Sequence, residues 1–262
     1  MSKVAILGAG VYGTALGGIL AENGYDVDYY DPLKEKERLK DVVSNSFAVV
    51  LSLPSSSALH LLPHLQKGIY LIVASKGFLS EKPFNEFPSW GIISGAGFAK
   101  DFKSNHSIQL TVTDHKISDM FYAPNLSFDY TSDKKGVLLC GALKNVYALI
   151  AGKSNLKPDS KSLQNFIWSA SNEMGMILKS NGAKLKTIRL SCGIKDLILT
   201  CSPDSRNYSY GLSSQKGFKN APSETVESMS TIRRILRHEI LIPDSAKILL
   251  NFLEEIKNEI EF

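Results

Sequence analysis

Short unbroken apolar runs alternate with helically spaced ones through the first half of the chain. Residues 3–7, with Val4-Ala5-Ile6-Leu7, read as a strand, and residues 12–23 as a helix with Ala15, Leu16, Ile19 and Leu20 on one face. A second strand follows at 26–31, then a short charged helix near 33–43. Phe47-Ala48-Val49-Val50-Leu51 predicts a third strand and 69–74 a fourth, with further strands at 91–94, 107–112 and 126–130. Strands covered on both faces lose the polar alternation of a half-exposed sheet, and strands alternating with helices imply parallel crossovers. Residues 1–130 are therefore expected to form an α/β domain, a doubly wound and mostly parallel sheet.

The period then changes. Residues 134–152, 161–180 and 224–262 carry helical patterns, the last with Ile248, Leu249, Phe252, Leu253, Ile256 and Ile260 in one stripe opposite Glu and Lys. An all-α C-terminal domain, 131–262, is expected from this change alone.

Composition narrows the function. The 262 residues are 44% apolar and 21% charged, enough for an ordinary core. Thirty Lys and Arg against 26 Asp and Glu leave a net charge of +4, too thin for a nonspecific nucleic-acid binder but compatible with small anionic ligands. Cys140, Cys192 and Cys201 form no C-x-x-C pair, which fits a reduced, intracellular chain. No basic leader precedes the first strand, and no window is read as the roughly 20 apolar residues of a membrane span, so a cytoplasmic protein is expected. His60 and His64 are four apart but flank Pro63, with no glutamate where a metalloprotease needs one, so no metal is expected.

Gly8-Ala9-Gly10-Val11-Tyr12-Gly13 fits G-x-G-x-x-G, directly after a strand and at the start of a helix, and Asp31 closes the next strand 23 residues after Gly8. The first glycine permits the tight turn, the second lets backbone approach a pyrophosphate, and the third lets helix pack closely on strand. The helix N-terminus favours the negative charge. This is the pattern of a Rossmann-like dinucleotide site. Asp31 would accept hydrogen bonds from an adenosine ribose and repel a 2′-phosphate, which favours NAD over NADP. Ligands of such sheets lie beyond the carboxyl ends of the strands, where this chain places Pro54-Ser55, Ser75-Lys76-Gly77 and Ser94-Gly95-Ala96-Gly97.

Two clusters of the second half carry further chemistry. Lys144 sits in the otherwise apolar Cys140-Gly141-Ala142-Leu143-Lys144-Asn145-Val146, and desolvation there lowers an amine's pKa toward acid–base use. The plainer alternative is a lysine whose stem packs on the helix while its head reaches water. Asp196 and Thr200 lie one helical turn apart, and the turn Ser202-Pro203-Asp204-Ser205 delivers Arg206 and Asn207 side by side. A guanidinium beside hydroxyls and an amide suits a phosphate or carboxylate, although capping and a surface arginine would use the same residues.

Together these residues resemble the NAD(P)-dependent glycerol-3-phosphate dehydrogenases of bacterial type. The matching blocks are GAGVYGTALG (8–17), ASKGF (74–78), SGAGFAKD (94–101), GVLLCGALKNVYALIAG (136–152) and DLILTCSPDSRNYSYG (196–211). The resemblance implies reversible reduction of dihydroxyacetone phosphate to sn-glycerol 3-phosphate, a precursor of phospholipids, with NAD or NADP. It makes Lys144 the proton donor to the carbonyl and Asp196 the holder of that lysine. Lys76 would lie between cofactor and substrate. Ser205, Arg206 and Asn207 would grip the phosphate, with Gly95, Gly97 and Thr200 also on the substrate side. Gly8, Gly10, Val11, Tyr12, Gly13, Asp31, Lys76, Ala99, Arg206 and Glu224 fall on cofactor positions. The family is commonly dimeric, and a homodimer is compatible with the apolar C-terminal helix.

The chain also departs from the family. Asp31 reaches Phe47 in 16 residues, where family members carry a longer segment. Gly97 replaces a hydroxyl residue of S-G-P-[ST]-F-A, Lys195 puts a cation beside Asp196, and an arginine of the following helix is Ser169 here. These departures leave two alternatives open: a paralogue that binds NAD(H) without turnover, and a reductase of another small carbonyl acid.

Overall fold

The structure is a computed structural model that describes every residue except Glu35, 98–100, Ser104, Asn105, Lys216, 219–225 and 258–262. It divides into two compact units, Met1–Ser75 with Ser80–Lys134, and Lys76–Leu79 with Lys135–Phe262.

In the first unit, β1 (Lys3–Leu7), α1 (Val11–Glu22), β2 (Asp26–Tyr30), α2 (Leu39–Val43), β3 (Ala48–Leu51), α3 (Ser55–Leu61), β4 (Tyr70–Val73), β5 (Trp90–Ala96), β6 (Ile108–Val112), α4 (His115–Met120) and β7 (Leu126–Tyr130) follow one another. They build one sheet of order β2-β1-β3-β4-β5-β6-β7, parallel except between β5 and β6. The central strands β1, β3 and β4 are buried on both faces, which is why they read as continuous apolar runs. On one face Val4, Ile6, Val50 and Ile72 meet Leu16, Ile19 and Leu20 of α1 and Ile117, Met120 and Phe121 around α4. The edge strands β2 and β7 are half exposed and carry Asp26, Asp28, Ser127 and Asp129.

The second unit is built around α5 (Lys134–Lys153), whose residues Gly136–Gly152 are all buried. A helix apolar on every side belongs in a core. By length and composition α5 would reach across a membrane, but 94% of its apolar window is covered by protein. Around it stand α6 (Lys161–Ser180), α7 (Asp196–Thr200), α8 (Arg206–Ser213), α9 (Val226–Leu236) and α10 (Lys247–Ile256). Glu173, buried in the apolar stripe of α6, accepts the Tyr147 hydroxyl at 2.9 Å and the backbone N–H groups of Ile248 and Leu249 at 2.7 and 3.2 Å. It thereby caps the start of α10.

The continuous helical pattern expected over 224–262 is corrected to two helices with an irregular link. His238 takes a left-handed φ of 57°, which ends α9, and Pro243 has no N–H to extend it. Asn181 pins the link by donating to the Leu241 carbonyl at 2.8 Å and accepting the Leu241 N–H at 2.9 Å. Leu249, Phe252, Leu253 and Ile256 of the expected stripe are buried on α10, whereas Ile260 lies outside the described residues.

Candidate active site

One candidate group, within the first unit, is the glycine turn after β1. Strand β2 lies on one side of β1 and β3 on the other, so the turn opens at the point where the sheet's winding reverses. Gly8 has φ of +114°, and a Cβ there would stand 2.6 Å from the Ser52 carbonyl oxygen. A Cβ on Gly13 would meet the Gly8 carbonyl oxygen at 2.0 Å. Both positions thus admit only glycine. Gly10 differs: nothing lies within 4 Å of a Cβ placed on it. It caps α1 without any side-chain hydrogen bond, and no acid occupies the first turn of that helix. Val11 is exposed, and Tyr12 rests edge-on against Phe102 with ring centroids 5.7 Å apart. Open space, unsatisfied helix N–H groups and an exposed apolar residue together fit an anionic dinucleotide.

Asp31 follows the last residue of β2, accepting the Leu33 N–H at 3.0 Å, with Lys34 at 3.6 Å. At the carboxyl ends of β3, β4 and β5, the hydroxyls of Ser52, Ser75 and Ser94 are buried and find no hydrogen-bond partner among the described residues. Such orphans fit a polar ligand beside the sheet. Gly95 lies in β5 and Gly97 just beyond it, where a Cβ would press on Ile108 at 3.0 Å. Ala99 and Glu224 lie outside the described residues.

A separate candidate group, within the second unit, is a buried charge cluster. An irregular helical turn, Ser191–Lys195, precedes α7, and Gly193 lies so close to Ile188 that a Cβ would be 2.1 Å from its carbonyl oxygen. That turn ends with Lys195 exposed and Asp196 buried. Lys144 Nζ donates to Asp196 Oδ1 at 2.5 Å and to Thr200 Oγ1 at 2.9 Å. Lys76 Nζ reaches the other carboxylate oxygen at 3.3 Å. Thr200, one turn after Asp196, donates its own hydroxyl hydrogen to the Asp196 carbonyl at 2.6 Å, which leaves its oxygen to accept from Lys144.

Burial brings the Lys144 amine down to about 7, helped by the nearby Lys76 and opposed by Asp196. An amine in that range exchanges its proton near neutrality. Burial also pushes the neighbouring Cys201 thiol up to about 12, so it stays protonated and unreactive.

A glycine crossing aligns the remaining groups. A Cβ on Gly152 would lie 2.0 Å from the Tyr208 carbonyl oxygen, and one on Gly211 2.1 Å from that of Leu149, so α5 and α8 touch backbone to backbone. Their contact lets Asn207 donate to Asn145 Oδ1 at 3.2 Å, joining the residue after Arg206 to the residue after Lys144. Asn207 Oδ1 is buried without a partner among the described residues. Ser205 is buried at the N-cap of α8 and makes no side-chain cap bond, while Arg206 is exposed and forms no ion pair among the described residues. Asn145 is a residue the sequence reading passed over. The signal was its place beside Lys144 in a helix with no solvent face.

Comparison with known proteins follows the same lines. A family model described as NAD-dependent glycerol-3-phosphate dehydrogenase C-terminus matches residues 133–255. The glycerol-3-phosphate dehydrogenase (NAD(P)+) of Pseudomonas entomophila is 31% identical, the alignment covering 79% of this chain and 74% of that protein. That of Saccharophagus degradans is 30% identical over 82% and 73%. The crystal structure of glycerol-3-phosphate dehydrogenase from Coxiella burnetii superposes with a TM-score of 0.78 at 22% identity, covering 97% of this chain and 95% of that one. The last likeness establishes the two-part fold: a mostly parallel sheet followed by helices.

Proposed function

Because the chain belongs to the glycerol-3-phosphate dehydrogenase (NAD(P)+) family, we propose that it interconverts dihydroxyacetone phosphate and sn-glycerol 3-phosphate with Lys144 handling the proton. The observation that carries this reading is the buried amine itself, held between Asp196 and Thr200 and brought down to about 7.

Gly8, Gly10, Val11, Tyr12, Gly13 and Asp31 would hold NAD or NADP, which when bound would supply or take the hydride. The protein's own work is acid–base and electrostatic. In reduction, the Lys144 ammonium donates to the carbonyl oxygen as it becomes an alkoxide; in oxidation, the neutral amine takes the alcohol proton. Asp196 aims that nitrogen with one oxygen and holds Lys76 with the other. Lys76 adds positive charge where the oxyanion develops. Water is kept from Lys144 by the packing around α5.

Ser205, Arg206 and Asn207 bind the phosphate. The guanidinium offers two parallel donors, and the half-buried Asn207 amide completes the grip. Asp31 favours NAD, since a 2′-phosphate would bring negative charge against its carboxylate. Glycerol phosphate made this way feeds phospholipid synthesis, and a dissolved cytoplasmic enzyme suits that supply.

The test is NADH and NADPH oxidation by the purified chain with dihydroxyacetone phosphate, compared with unphosphorylated dihydroxyacetone. Turnover of the phosphate ester alone is expected. Equal rates on both ketones would remove the phosphate site, and absence of turnover with either cofactor would overturn the reading.

A further inference from the structure

Lys76 opens a four-residue segment, Lys76–Leu79, that packs with the second unit although the chain on either side belongs to the first. Its downstream half is anchored by Phe78 and Leu79, both buried. Upstream, Lys76 is half-buried, and Gly77, though buried, has no side chain to anchor it. Lys76 is followed by Gly77 with φ of +98°, a conformation open to glycine alone and one of many that glycine can adopt. A residue followed by so permissive a joint keeps its direction only if the joint is held.

Among the described residues, a side chain of α9 holds it. Arg234 of α9 donates from Nη1 to the Gly77 carbonyl at 3.1 Å. Its Nε donates to Glu239 Oε2 at 2.8 Å, which fixes the plane of the guanidinium. Arg234 keeps only 18% of its side chain exposed and Glu239 39%, so the clamp is sheltered on the side of the segment. Arg234 touches neither Lys144 nor Asp196 in any recorded hydrogen bond or ion pair among the described residues; its route to them runs through Lys76.

We propose that Arg234 is a positioning residue for Lys76, oriented by Glu239, and that it fixes where the Lys76 ammonium meets Asp196. This rests on the reading of Lys76, Lys144 and Asp196 as the proton-handling group. The groups acting on Lys144 are Asp196, Thr200 and Cys201 from α7 and its end, together with Lys76. Of these, only Lys76 is carried by the clamped segment. If Lys76 withdraws, Lys144 loses a neighbouring positive charge and holds its proton to higher pH.

The test is a double-mutant cycle on the full chain: wild type, Arg234→Ala, Lys76→Ala and the pair, with Lys144→Ala as control. Dihydroxyacetone phosphate reduction is followed from acid to alkaline pH. NADH affinity is read from its fluorescence, and Lys76 accessibility by amine acylation with mass spectrometry. Arg234→Ala is expected to lower kcat about tenfold, as a displaced group would. It should also move the alkaline limb of the profile upward, raise acylation of Lys76 and change NADH affinity no more than Lys76→Ala does. In the Lys76→Ala background it should add less than about twofold.

A full effect of Arg234→Ala in both backgrounds would overturn the proposal, as would unchanged Lys76 acylation in a folded variant. If Arg234→Ala fails to fold, Glu239→Gln at the exposed end of the clamp replaces it, with the same cancellation expected. An inactive wild type would discard the catalytic reading, and the acylation result would still decide the clamp.

Discussion

Asp196→Asn removes one charge and almost no volume from the middle of the buried cluster. Its carboxylate lies 2.5 Å from Lys144 Nζ and 3.3 Å from Lys76 Nζ, so the substitution leaves two ammonium groups facing an amide. Two unit charges about 4 Å apart attract by about 4 kcal/mol at an effective dielectric near 20. One pKa unit corresponds to about 1.4 kcal/mol, so complete loss would lower Lys144 by about three units. The asparagine oxygen still accepts a hydrogen bond, which leaves a drop of about two units. Lys144 starts at about 7, so its protonated fraction at pH 7 would fall from about one half to about one hundredth.

The reductive reaction needs the protonated form. Its rate falls as pH rises through the Lys144 pKa, so the falling limb should move from near neutral to about pH 5. At pH 7 reduction should lose about fifty-fold. Oxidation, which needs the neutral amine, should lose less. The assay is the pH profile of NADH oxidation with dihydroxyacetone phosphate, with thermal melting to establish that the variant folds. A folded Asp196→Asn enzyme that keeps the wild-type limb would refute the assignment of Asp196 as the group that holds the Lys144 proton.

Other substitutions test the remaining parts. Arg206→Ala should cut kcat/KM for dihydroxyacetone phosphate by about 10- to 150-fold, the cost of about 1.5–3 kcal/mol for a hydrogen bond to a charged group. It should leave NADH affinity within twofold if the guanidinium serves the phosphate. Asp31→Asn should shift the ratio of kcat/KM values about tenfold from NADH toward NADPH, read from parallel titrations of the two cofactors. Gly211→Ala should cost about 1–3 kcal/mol of stability in urea denaturation, because its Cβ would stand 2.1 Å from the Leu149 carbonyl oxygen. The same variant should weaken substrate binding as α8 moves Asn207 away from Asn145.

Where a local rule decides the structure, the sequence was enough. The run Val4–Leu7, the glycines at 8, 10 and 13 and the acid at 31 imposed strand, turn and helix without outside help. Lys144 was legible as a lysine in an otherwise apolar helix, whereas its pairing with Asp196 was expected only from the family resemblance. What escaped the sequence depends on contacts between distant segments. The strand at 108–112 has no mark of its antiparallel pairing with β5. Nothing local separates Lys76–Leu79 from the sheet that flanks it. The break after Leu236 had local signals, since His238 is of a type that tolerates a left-handed φ and Pro243 cannot extend a helix, but the apolar stripe of the last segment masked them. Glu173 in the apolar stripe of α6 was a readable signal of a buried polar contact, but its partners lie 26 and more residues away.

Pre-steady-state NADH oxidation by Lys144→Ala, set beside wild type with saturating dihydroxyacetone phosphate, tests the proton-handling role most directly. The account predicts a loss of about 10²–10⁴-fold in the hydride-transfer rate, the usual worth of a positioned acid, with NADH binding as tight as in wild type. A folded variant that oxidises NADH at the wild-type rate would contradict it.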